Sequence, residues 1–176
     1  TAKAEPRHRA FHEATHQLCD RSGLLPGDAG HPTWLVEGLA LFFEDPEQWT
    51  TAGSRVNAID RDRIEDLQEA LRRDRLLPLQ ALLGLATSFF SLGEQRVHLA
   101  YAESWALVRF LLKGPVPEHR TRFFKYLRRQ GMIRADEERN EARRVGEFVE
   151  AFDQDLATFE RGWREFVRAI PLPDRG

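Results

Sequence analysis

The stretch FHEATHQLCD, residues 11–20, places two histidines four positions apart, with a glutamate directly after the first. A helix advances about 100° and 1.5 Å per residue, so His12 and His16 stand about 40° apart, roughly 6 Å along the axis. Two imidazoles so placed converge on one tetrahedral zinc ion at bonds of about 2.0–2.1 Å. Glu13 falls about 60° to the side of His16, near enough to take a proton from a water at the metal without being a ligand. The competing reading is a surface helix with two stray histidines. A third ligand decides between them.

Glu37 is the candidate. In WLVEGLALFF, residues 34–43, it is the only charged side chain. An unpaired carboxylate on so apolar a helix would cost several kcal/mol or take up a proton. A metal partner removes the difficulty. Gly38 and Ala40 leave little bulk and would let this helix approach the one that carries His12 and His16. The alternative for Glu37 is a solvent-facing place in the helix's first turn, where the helix dipole favours an acid. His8 lies one turn before His12 on the same face. Cys19 falls beyond His16 on the metal side and reads as a packing thiol, since three ligands are already supplied.

These residues need helices to hold them, and the hydrophobic periodicity is helical almost throughout. Phe11, Ala14, Thr15 and Leu18 follow the i, i+3, i+4, i+7 pattern, and Phe11, Ala14 and Leu18 are expected to anchor the first helix opposite its histidines. A Gly/Pro-rich loop over 20–32 precedes the apolar helix of Glu37, which stops at Pro46. A polar loop over 47–57 leads to an amphipathic helix over about 58–74, with Ile59, Ile64, Leu67 and Leu71 on its inner face. A short helix opens at Pro78, and an ambiguous stretch follows it. A strongly apolar helix then runs over 97–114 and ends at Gly114-Pro115, and the next spans 117–131. The charged run MIRADEERNEARR reads as solvated or partly disordered, before two last helices over 145–152 and 156–170. No alternating strand pattern and no internal repeat stands out. The chain reads as one mainly α domain.

Composition narrows the partners. The formal charge is −2, and three of the 26 basic side chains are lysine, leaving 23 arginines. These alternate with acids, as in DRDRIED, and form no basic block, which argues against nucleic acid. One cysteine excludes an internal disulfide, and no apolar run approaches the ~18 residues of a membrane span.

H-E-x-x-H followed by W-x-x-E-G-x-A resembles the gluzincin zinc peptidases, above all the aminopeptidase N and leukotriene hydrolase branch. Twenty residues lie between His16 and Glu37, slightly more than that branch shows, and a longer connecting loop would absorb the difference. The chain is also similar to bacterial gluzincin-like domains of unknown function. Those add a Y-x-x-S-W helix, here AYAESWALVRFL. The resemblance covers most of residues 8–170. It implies zinc held by His12, His16 and Glu37, with Glu13 as general base and Tyr101 stabilising the tetrahedral intermediate. Read from the residues alone, Tyr101 on a buried helix is as well explained as core. His98, one turn earlier, is a further candidate for an electrophile or substrate contact.

The implied fold is a mainly α, multi-helix gluzincin catalytic half-domain with little or no sheet. The implied function is zinc-dependent hydrolysis of a peptide or protein substrate; the sequence leaves the localisation open, with a lean to a bacterial extracytoplasmic setting. The alternatives are a non-catalytic zinc-containing scaffold on the same fold and a zinc-free helical interaction domain. In gluzincins a β-sheet precedes the H-E-x-x-H helix and aligns the substrate; here only TAKAEPRHRA does. The expectation is therefore the C-terminal part of a longer protein, with that edge supplied by an N-terminal domain absent from this chain or by a partner.

Overall fold

Apolar residues recurring every three or four positions fold this chain into helices that bury one stripe each. A computed structural model describes residues 5–27, 29–44, 58–86, 89–134, 136–137 and 139–172. The elements are α1 (Glu5–Arg21), α2 (Thr33–Phe43), α3 (Ala58–Arg72), α4 (Leu79–Gly84), a 3-10 turn (Phe89–Leu92), α5 (Glu94–Lys113), α6 (Pro117–Gly131), α7 (Glu141–Phe152) and α8 (Leu156–Ala169). No strand occurs among the described residues, so the mainly α reading holds. None of the described helices is long and apolar enough to cross a membrane. The polar loop expected over 47–57 and the Ile59 side chain lie outside the described residues.

Local chemistry sets the boundaries. Pro32 and Pro78 hold extended backbone immediately before α2 and α4, and Pro117 opens α6 where its missing N–H costs nothing. Asn140 and Asp155 cap α7 and α8, their side chains accepting the N–H groups of Arg143 and Thr158 at 2.9 Å.

The core forms around α5, whose Trp105, Ala106, Leu107, Val108 and Leu111 are buried, and α2 packs against it more extensively than any other pair of elements does. At Gly38 the two backbones meet: a Cβ there would lie 2.6 Å from the Ser104 carbonyl oxygen and 2.8 Å from Val108 Cγ2. The small residue beside Glu37 therefore serves the approach to α5, not the expected approach to α1. Trp34 stacks on Tyr126 of α6 with ring centroids 6.2 Å apart and meets Phe148 of α7 edge-on at 5.8 Å. Those contacts pin α2 one turn before Glu37.

Two sequence expectations change. Ala14 is exposed and Leu18 is 69% exposed, so of the expected anchors of α1 only Phe11 is half-buried. His8, Phe11, His12, Thr15, His16 and Cys19 are the half-buried residues, and α1 contacts α2. The reason is geometric: a centre shared by two helices lies at their interface, so the chemical face of α1 is also its packed face. The charged run after α6 is likewise not all solvated. Arg139 is buried in an ion pair with Glu147 of α7, and helix α7 already begins at Glu141.

Candidate metal centre

The i, i+4 spacing on α1 turns both imidazoles toward α2, and Pro32 starts α2 so that Glu37 faces them. His12 Nε2 lies 3.1 Å from His16 Nε2 and 3.4 Å from Glu37 Oε2. His16 Nε2 lies 3.7 Å from the same carboxylate oxygen. Ligand atoms around a tetrahedral zinc ion with bonds near 2.0–2.1 Å are about 3.3 Å apart. The three separations bracket that value, so one ion fits among them. This is the one group of three metal-ligating side chains found among the described residues. Glu37 does not take the solvent-facing place open to it in the first turn.

The two rings differ electrostatically. His12 is raised from 6.5 to about 9 by hydrogen bonding to Glu37 and then to Glu44, against the opposing effect of burial. His16 is lowered, chiefly by burial, with the Glu37 charge opposing. The two rings share the Glu37 carboxylate, and His12 alone also faces Glu44.

Glu13 is exposed on the same turn as His12, outside the ligand set, and its charge acts on the His16 ring. Tyr101 of α5 is half-buried, edge-on to Phe89 with centroids 5.0 Å apart. Burial raises its hydroxyl pKa and the nearby Glu37 charge adds to the shift. Tyr101, His98 and His12 share the wall of one cavity of about 470 Å³, which Glu44 and Arg63 also line. His8 is not at the ligand atoms: its Nδ1 donates to the Glu44 carbonyl at 3.1 Å and ties α1 to the end of α2. Cys19 is half-buried against the core, where burial raises its thiol pKa.

Sequence reading missed Glu44 and Arg63. Glu44 Oε2 lies 3.6 Å from His12 Nδ1, and Glu44 Oε1 accepts from Arg63 Nη2 at 2.7 Å. The signal was spacing: Glu44 follows Glu37 by seven positions, two turns along the same face.

Residues 9–133 match the family model described as Protein of unknown function (DUF1570). The chain belongs to this DUF1570 family. No curated protein and no solved structure matches the chain. The DUF1570 region contains His12, Glu13, His16, Glu37, Glu44 and Tyr101, while α7 and α8 fall outside it. Those two helices nonetheless support the region, since Phe148 of α7 packs against Trp34 and Phe159 of α8 against Phe110.

Proposed function

We propose that this chain is a gluzincin-type zinc metallopeptidase domain, with His12, His16 and Glu37 as ligands. One observation carries the reading: three donor atoms from two helices stand at tetrahedral spacing, beside a carboxylate and a phenol that are not needed to hold an ion. Two imidazoles and one carboxylate suit zinc and leave a fourth position open, as in hydrolytic rather than structural zinc sites. Bound there, zinc would lower the pKa of a water and polarise a peptide carbonyl.

The chain's own residues do the rest. Glu13, next to His12 and open to solvent, accepts the proton of the attacking water on a carboxylate oxygen and passes it to the leaving amine. The Tyr101 hydroxyl donates a hydrogen bond to the carbonyl oxygen as negative charge develops on it. A phenol is protonated at neutral pH, and burial shifts this one further the same way, so it is a donor there. His98 lines the same cavity, which supports a substrate contact as its role.

The test is Glu13→Gln at matched zinc occupancy on a mixed peptide library. Gln is nearly isosteric but accepts no proton. The variant is expected to keep zinc and fold while cleavage falls at least a hundredfold. Equal cleavage by both proteins removes Glu13 from the chemistry. A wild type that binds zinc and cleaves nothing, alone or with its natural flanking sequence, favours the scaffold alternative.

A further inference from the structure

We infer that Glu44, held in place by Arg63, is a positioning residue of the metal centre: its carboxylate stands at the Nδ1 edge of His12, favours the proton on that nitrogen and so presents Nε2 to the metal. The inference rests on the metal-site reading above. His12 Nε2 is the nitrogen that faces His16 at 3.1 Å and Glu37 at 3.4 Å. Its Nδ1 faces the other way, 3.6 Å from Glu44 Oε2. A neutral imidazole carries a single N–H, so a ring that gives Nε2 to a metal carries its proton on Nδ1. A carboxylate at that edge selects this tautomer, fixes the ring plane and makes the ligating nitrogen a better donor.

Glu44 is built to hold still. Its main-chain carbonyl accepts from His8 Nδ1 at 3.1 Å, which joins it to α1 one turn before His12. Its Oε1 accepts from Arg63 Nη2 at 2.7 Å, which joins it to α3. The Arg63 guanidinium in turn lies 5.5 Å over the ring of Trp105, a fully buried residue of α5. The side chains of Glu44 and Arg63 are only 11% and 12% exposed, so the pair is more constrained than a surface ion pair of the kind that contributes little. Helix α2 and its C-cap thus supply two carboxylates, Glu37 toward the metal and Glu44 toward the far edge of a ligand ring, with α3 and α5 bracing the second.

Zinc affinity, measured by competition with a chelating dye, and the visible spectrum of the cobalt(II)-loaded protein test this. The proteins compared are wild type, Glu44→Gln, Arg63→Gln and Asp66→Asn. Glu44→Gln is expected to weaken zinc binding by about 10–100-fold and to shift the cobalt bands, because the ring ligand changes basicity and orientation. Arg63→Gln leaves the carboxylate but frees it, and is expected to weaken binding in the same direction. Asp66 lines the same cavity, and Asp66→Asn removes an equal charge there, so it is expected to stay within about twofold. Melting of the metal-free proteins checks the fold; should Glu44→Gln fail to fold, Arg63→Gln carries the test.

Zinc affinity within twofold of wild type and an unchanged cobalt spectrum in Glu44→Gln would overturn the inference while leaving the metal site standing. An equal loss in Asp66→Asn would overturn it too, by reducing the effect to general charge. A wild type without zinc affinity would overturn the metal site and this inference together.

Discussion

In the proposed mechanism Glu13 and Tyr101 divide the chemistry, and Tyr101 is the one for which a core role competes with the proposed catalytic one. Its ring sits edge-on to Phe89, so Tyr101→Phe keeps that contact and deletes only the hydroxyl. The expected result is unchanged zinc and a kcat lower by about a hundredfold, with KM little altered, since the hydroxyl acts on the developing oxyanion. Unchanged turnover with a lower melting temperature would return Tyr101 to the core. Two residues on, Glu103 is buried with its Oε1 accepting the Leu77 N–H at 3.0 Å. Burial raises its pKa from 4.5 to about 8, a shift that the Leu77 hydrogen bond, Arg164 and Arg96 reduce. The folded chain holds that proton more tightly than the unfolded one. Stability from this group is therefore full below pH 4.5 and is lost as pH rises through 8. Glu103→Gln keeps the hydrogen bond and never ionises, so its urea midpoint should fall less over that window. The differential is on the order of a few kcal/mol by the alkaline end. Parallel pH profiles for the two proteins would contradict this account of Glu103.

At the scale of elements, Gly38 sets how closely α2 can lie against α5, and so where Glu37 stands relative to Tyr101. A methyl group there meets main-chain atoms of Ser104, which cannot yield as a side-chain tip can. Gly38→Ala is expected to cost roughly 1–3 kcal/mol in thermal or urea unfolding and to weaken zinc binding by shifting Glu37. Stability and affinity both equal to wild type would show that the helices separate freely. The helices and the convergence of His12, His16 and Glu37 were legible in the sequence because both rest on spacing: apolar residues at helical intervals, His12 and His16 four apart, one acid on an apolar helix. The inward face of α1 was not. Its histidines look like the polar side and Ala14 with Leu18 like the packed side, and only the position of α2 reverses that. Glu44 was not singled out, since the ring it faces belongs to another element. The burial of Arg139 was hidden for the same reason: its partner Glu147 lies in the next helix, and hydropathy counts each charge alone.

At the scale of the whole molecule, a metal shared by α1 and α2 is a cross-link between two helices joined by a long loop, so binding and stability are one equilibrium. The unfolded chain does not hold His12, His16 and Glu37 together, and zinc at a hundredfold over its dissociation constant should add about 2.7 kcal/mol of stability. The most direct measurement of the central claim is a zinc titration of the metal-free protein, followed by calorimetry and by melting temperature, for wild type, His16→Ala and Glu37→Ala. The expected result is one zinc per chain and a rise in melting temperature for wild type, with most of the affinity and of that rise lost in both variants. Full zinc occupancy and an undiminished thermal shift in Glu37→Ala would contradict the three-ligand centre on which the account stands.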